Sequence, residues 1–121
     1  MGLRRTISFP TDSRPAWESL CAAFRSDSES PAVRMIDDLP AFPDEIPEPG
    51  WKELRISLSG GMVTIRTASA GWECSIWGNA DAPLIRSWNL TCFVLASVGQ
   101  GTVELENGPS VSASEFRHLV L

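Results

Sequence analysis

The sequence predicts a single α+β domain of two layers, in which helices cover one face of an antiparallel sheet. Three observations lead to this fold class. The chain is 121 residues long with a hydrophobic fraction of 43%, residues 51–77 alternate between apolar and polar side chains, and stretches at helical spacing precede and follow them. We expect a sheet of four to five strands in the order β-α-β-β-β-α-β over residues 1–121, plus a short C-terminal helix. A ferredoxin-like arrangement is an alternative topology.

The chain begins with a predicted strand and a predicted helix. Residues 3–9 alternate, and their apolar side chains share one face, although the charged Arg5 falls on that same face. Residues 13–25 place apolar side chains at helical spacing, and Pro15 suits a first helical turn. The second segment therefore predicts an amphipathic helix that covers the sheet.

Residues 26–50 differ from the rest of the chain. They are rich in acidic residues, and four prolines stand between residues 40 and 49. Proline removes a backbone donor and restricts the residue before it, so no long regular element is expected at that density. We predict an irregular acidic crossover here.

Residues 51–77 predict a three-stranded antiparallel meander with one buried face. Gly60 and Gly61 mark the first turn, since both residues accept positive φ, and residues 68–71 mark the second. The alternation predicts the inward-facing side chains to be Leu54, Ile56, Leu58, Val63, Ile65, Trp72, Cys74 and Ile76.

The register of the meander places charged residues together on its outer face. If the two glycines form the first turn, Arg55 lies opposite Arg66, and the second turn places Arg66 opposite Glu73. Trp77 ends the third strand on the same face. One hypothesis is a solvated face with ordinary ion pairs. The other is a ligand site at Arg55, Arg66, Glu73 and Trp77, in which the arginines bind a carboxylate or phosphate beside an apolar wall.

Residues 80–98 predict a second helix, capped by Asn79, that is apolar on nearly every side. A strand over 90–98 is the alternative, because those side chains suit either state. A two-layer domain covers only one face of such a helix. Something must therefore cover its far side: the crossover, the C-terminal segment or another chain. A homodimer through this helix would use Leu90, Phe93 and Val94 as interface residues.

The last part of the chain predicts a short strand and a short helix. Residues 102–106 alternate, and a Gly-Pro pair then breaks the pattern. Ser112 and Glu115 have the spacing of a capping box, in which each side chain bonds to the other residue's backbone N–H. This box predicts a helix that packs its apolar side against the body of the domain.

Few residues suggest catalysis or a metal. The chain lacks the glycine-rich phosphate motifs and the nucleophile elbow. Its three cysteines, Cys21, Cys74 and Cys92, are far apart, and its single histidine is His118. These spacings favour reduced, buried thiols in a cytoplasmic protein. We therefore predict no metal, no cofactor and no catalytic residues.

The net charge and the length of the apolar runs limit the classes of partner that we expect. The formal net charge is −5, which argues against a nucleic-acid surface, and no apolar run is long enough to span a bilayer. The first functional hypothesis is a non-enzymatic protein-interaction module that self-associates through its second helix. The alternative is a protein, weakly enzymatic in one version, that binds a small anionic or other ligand on the outer sheet face.

Overall fold

The computed structural model describes residues 2–10, 14–42, 44–69, 71–106 and 108–121. Eight strands and three helices lie in these ranges. In chain order they are β1 (Leu3–Ser8), α1 (Trp17–Ser26), β2 (Ala32–Ile36), β3 (Leu39–Pro40), β4 (Glu53–Leu58), β5 (Gly61–Ala68), β6 (Gly71–Ile76), α2 (Ala82–Gly99), β7 (Thr102–Glu104), β8 (Ser110–Ser112) and α3 (Ala113–Val120).

The strands form one antiparallel sheet in the order β3-β2-β4-β5-β6-β1-β7-β8. Helix α2 packs on the middle of this sheet, against β5, β6, β1 and β7, and both α1 and α3 pack against α2. The predicted α+β class is therefore confirmed. Among the described helices, none combines the length and the apolar character that crossing a membrane requires.

The predicted number of four to five strands is wrong, because the described sheet has eight. Two of the additional strands, β2 and β3, lie inside the crossover, where the prolines predict no long regular element. They form a hairpin whose turn residues, Asp37 and Asp38, have φ of 51° and 67°, a conformation that aspartate tolerates better than most residues. Strands of two or three residues, such as β3 and β8, are too short to show an alternating pattern.

The meander is present, and its predicted inward face is buried. The β5–β6 register is as predicted, with Thr67 opposite Trp72. The β4–β5 register is wrong by two residues: Leu58 pairs with Gly61, so Arg55 faces Thr64 and not Arg66.

The turn between β4 and β5 is displaced because it packs against the start of α2. A Cβ atom on Gly60 would overlap the backbone oxygen of Pro83, and the Gly60 N–H donates to Ser87 Oγ at 3.0 Å. Only glycine fits there. Gly60 therefore belongs to the turn itself, while Gly61 begins β5.

The helices follow the predictions with shifted ends. Ser13, the predicted start of the first helix, lies outside the described residues. Helix α2 includes residues 90–98, so the alternative strand there is wrong. Its cap is Asp81 and not Asn79, since the Asp81 carboxylate accepts a hydrogen bond from the Leu84 N–H at 3.0 Å. Of the predicted capping box of α3, one of the two bonds is present: Ser112 caps the helix, since its Oγ accepts from the Glu115 N–H at 3.3 Å, and the Glu115 carboxylate accepts from Ser112 Oγ at 3.2 Å.

Arg5 explains the unusual pattern of β1. It faces the helices and is only 9% exposed. Its guanidinium carbon lies 3.8 Å from the ring centre of Trp88. Its Nε donates to Glu106 at 2.9 Å and its Nη1 to Asn89 Oδ1 at 2.6 Å. A buried cation is tolerated when it is paired and hydrogen-bonded in this way.

Candidate functional site

The two arginines of the predicted outer-face site are bound by one glutamate. Glu53 lies opposite Arg66, and its carboxylate accepts from Arg66 Nη2 at 2.7 Å and from Arg55 Nε at 3.1 Å. The hydrogen bond from Arg66 is the largest cause that lowers the pKa of Glu53. This carboxylate thus occupies the position that the sequence hypothesis gives to a ligand. An anion site at these arginines stays a prediction.

The other two predicted residues lie further along this face. Glu73 is opposite Arg66 in the register, as predicted, and Arg4 also lies 3.9 Å from its carboxylate. Trp77 follows the end of β6 and is 62% exposed. A Cβ on Gly2 would lie 2.9 Å from its ring, so the indole rests against the start of the chain and not against Arg55.

Replacing Glu53 with glutamine is expected to destabilise the fold by about 1–2 kcal/mol near neutral pH, because two charge-assisted hydrogen bonds are weakened. The folded-state pKa of Glu53 is depressed, so its contribution is present above the unfolded pKa of about 4.3 and is lost as the pH falls through the folded value. Urea titrations should show the two proteins converging in stability on acidification. Glu104→Gln, on the same face of the sheet, is the control. If the free energies of unfolding of the wild type and Glu53→Gln differ by the same amount at every pH, this account is contradicted.

The apolar far side of α2 is covered within the chain. Val94 is fully buried and Leu90 nearly so, while Phe93 is partly buried under Arg117 of α3, whose guanidinium carbon lies 4.7 Å from the ring centre. Helices α1 and α3 supply the cover, and α3 belongs to the C-terminal segment, one of the three predicted coverings. Self-association through α2 stays a prediction, but the apolar surface that suggests it is already packed.

A different site is formed by three tryptophans that are distant in sequence. Trp17 begins α1, Trp51 precedes β4, and Trp72 lies on the inward face of β6. They line a cavity of about 420 Å³, which we call the tryptophan cavity. Its other lining residues include Arg14, Pro15, Glu18, Pro47, Glu48, Pro49 and Thr67.

Aromatic contacts hold Trp72 in place in the lining of this cavity. The ring centres of Trp51 and Trp72 are 5.1 Å apart, with the planes tilted by 40°. Phe9 meets Trp72 edge to face at 5.3 Å. Both distances lie in the favourable range for aromatic pairs. Trp72 is 2% exposed, so its indole has little freedom to turn.

The indole N–H of Trp72 has no hydrogen-bond partner. Among the described residues, its Nε1 is the one buried side-chain nitrogen or oxygen in this condition. Trp88, which is similarly buried, donates its Nε1–H to the carbonyl of Cys74 at 3.0 Å. An unsatisfied buried donor costs about 1–3 kcal/mol. Trp72 therefore lines the cavity and also carries a buried donor that none of the described groups satisfies.

The rim of the tryptophan cavity carries charged groups of both signs. Arg14 donates from Nη2 to the carbonyl of Ala68 at 3.1 Å, which fixes it beside the turn between β5 and β6. Glu18 and Glu48 line the cavity and are exposed to solvent. A mostly apolar interior with a few polar groups is typical of small-molecule sites.

Sequence reasoning places Trp72 in the core but misses the cavity. The alternation of β6 shows only which way Trp72 points, whereas the cavity depends on the start of α1 and the proline-rich segment reaching the same end of the sheet. The one signal that the sequence offers is the number of tryptophans, five in the whole chain, with Trp51 directly after the prolines.

Other chemistry is limited in the described part of the chain. No group of three histidine, cysteine or acidic side chains there could hold a metal ion. All three cysteines are buried, and burial raises the pKa of the Cys74 thiol well above its usual value, which makes it a poor nucleophile. No protein-family model, curated protein or solved structure matches the chain.

Proposed function

We propose that this protein is a small-ligand-binding domain and that the tryptophan cavity is its binding site. The observation that carries the proposal is a cavity of about 420 Å³ lined by three tryptophans, one of which, Trp72, has a buried Nε1–H without a partner. Cavities of about 300–1,000 Å³ with apolar walls and few polar groups are the usual sites for small molecules.

The walls of the cavity suit a ligand that is largely removed from water. Trp17 and Trp72 are buried and fixed by the core, while Trp51 is partly exposed. A rigid aromatic wall loses little conformational entropy when a ligand binds, which favours affinity. The sequence hypothesis also has the protein bind a small ligand, but at Arg55 and Arg66 on the outer face of the sheet. The tryptophan cavity lies on the opposite face.

Two other surfaces support a binding role less well. The outer-face arginines already share the Glu53 carboxylate, so an anion would have to displace it. The groove beside α3, at about 760 Å³, is wider, but none of the described side chains that line it has a buried polar atom without a partner. The tryptophan cavity alone combines enclosure with an unsatisfied donor among the described residues.

Replacing Trp51 with alanine is expected to weaken the binding of small aromatic fragments by about tenfold, because the variant loses one wall of the cavity and its stacking contact. Trp51 is partly exposed, so the fold should survive the change. Binding is measured by chemical-shift perturbation with a library of neutral, cationic and anionic aromatic fragments, and circular dichroism checks the fold.

The matched control is Trp77→Ala, which removes an equally large side chain from the far end of the outer face and should leave binding unchanged. The proposal fails if no fragment perturbs the resonances of Trp17, Trp51 or Trp72, or if the two variants weaken binding equally. Perturbations confined to Arg55 and Arg66 by the anionic fragments would favour the outer-face site instead.

A further inference from the structure

We infer that the tryptophan cavity takes a flat, neutral heteroaromatic molecule that carries a hydrogen-bond acceptor, and that this acceptor pairs with the Nε1–H of Trp72. The inference rests on the proposed function and names the ligand class for that same site. Three properties of the cavity support it: the shape of its walls, the kind of polar group it leaves unpaired, and the balance of charge at its rim.

The walls favour a flat ring. The rings of Trp51 and Trp72 pack on each other with a tilt of 40°, and together with Trp17 they give the lining three large aromatic side chains. Proline rings at Pro15, Pro47 and Pro49 complete the lining. Aromatic rings stack on such side chains with a gain beyond the area that they bury. A flexible aliphatic chain would gain only the burial term.

The polar groups require an acceptor on the ligand. An indole nitrogen is a donor only, and that of Trp72 lacks an acceptor. A ring nitrogen or carbonyl oxygen on the ligand supplies what the protein does not. By contrast, a hydrocarbon of the same shape would leave the N–H unpaired, and so would a ligand that carries donors alone.

The charges near the cavity argue against a charged ligand. Glu18 and Glu48 line it with carboxylates, which repel an anion, and the whole chain has a net charge of −5. A cationic group has no lone pair with which to accept the Trp72 N–H, and Arg14 at the same rim repels it. A neutral ligand avoids both the repulsion and the cost of removing a charge from water.

The acceptor reaches Trp72 only if one wall moves. The Nε1 atom is shielded from solvent, and Trp51 packs against the Trp72 ring. Residues 46–51 form the wall on that side, and most of them are exposed. Outward displacement of this segment opens a path to the nitrogen while the core positions of Trp17 and Trp72 remain unchanged.

The test follows the tryptophan indole N–H signals in a proton–nitrogen correlation spectrum of the full chain, assigned by single Trp→Phe variants. The main probe is quinoline, which is flat, neutral near physiological pH and accepts a hydrogen bond through its ring nitrogen. Indole is its donor-only counterpart, and trimethylphenylammonium and phenyl phosphate are the charged ones. The Trp88 signal serves as an internal control, because its N–H is already bonded to Cys74.

Quinoline is expected to shift the Trp72 indole proton downfield, as a new hydrogen bond does, with little change at Trp88. Because one net hydrogen bond is worth about 0.5–1.5 kcal/mol, quinoline should bind about three- to tenfold more tightly than indole. If the Trp72→Phe variant folds, it should bind quinoline and indole equally tightly. If the variant does not fold, the shift of the Trp72 indole proton in the wild-type protein is the test of the hydrogen bond.

Three results would overturn all or part of the inference, and they differ from failure of the proposed function. If the probes shift Trp51 and Trp17 but never the Trp72 proton, or if indole binds as tightly as quinoline, ligand binding in the cavity stands and the acceptor pairing is wrong. Tighter binding of either charged probe would likewise overturn neutrality alone. If none of these probes and no library fragment affects any of the three tryptophans, the proposed function itself fails.

Discussion

Replacing Trp88 with alanine is expected to lower the free energy of unfolding by about 4 kcal/mol, near the middle of the range for large aromatic residues in a core. The indole is 3% exposed, donates to the Cys74 carbonyl and lies against the Arg5 guanidinium. The variant therefore leaves a cavity, an unpaired carbonyl and a buried cation without its aromatic cover. A domain with a total stability of about 5–15 kcal/mol tolerates such a loss poorly.

Urea denaturation followed by circular dichroism measures this effect. Trp77→Ala is the control, since an exposed tryptophan should change stability by no more than about 0.5 kcal/mol. A second variant, Trp88→Phe, keeps much of the volume and should recover part of the loss. Equal stabilities for Trp88→Ala and Trp77→Ala would show that the contacts of Trp88 with Arg5 of β1 and Cys74 of β6 do not stabilise the fold.

Replacing Gly60 with alanine is expected to cost about 3 kcal/mol, at the upper end for overpacked sites. The added methyl group would overlap the backbone oxygen of Pro83. Because the turn at Gly60 and the helix at Pro83 meet through backbone atoms, neither can move aside as a flexible side chain would. The turn must move away from α2, which also breaks the hydrogen bond from the Gly60 N–H to Ser87.

Gly50→Ala separates this contact from backbone strain. Gly50 has φ of +96°, and a methyl group added there would meet nothing within 4 Å. This variant therefore tests conformational cost alone, expected at about 1 kcal/mol or slightly more. Thermal and urea unfolding of the two variants provide the comparison. A Gly60→Ala protein no less stable than Gly50→Ala would argue against close packing between the turn and the helix.

The part of the fold that could be predicted is the part set by local periodicity. The inward residues of β4, β5 and β6 follow from alternation, and the β5–β6 register follows because Thr67 and Trp72 both belong to the buried face. The β4–β5 register could not be obtained in this way. Two adjacent glycines allow more than one turn, and the choice is made by Pro83, which is distant in sequence.

The binding site is less predictable than the sheet. The predicted pairing of Arg55 with Arg66 is wrong because the β4–β5 register is shifted by two residues, which places Glu53 opposite Arg66. The apolar pattern of α2 shows correctly that the helix needs cover on its far side, but it leaves three candidates for that cover. The tryptophan cavity is lined by residues from three separate segments, and the spacing of residues along the chain does not predict that these segments lie together.

The position of β1 also has a consequence for how the protein is made. Although β1 precedes the other described strands along the chain, it lies inside the sheet between β6 and β7, and the Arg5 charge is neutralised by Glu106, 101 residues later. During synthesis, β1 therefore lacks both of its neighbouring strands until β6 and β7 have been made. Independent folding of the segment that precedes β6 is not expected, because β1 has no strand to pair with in it.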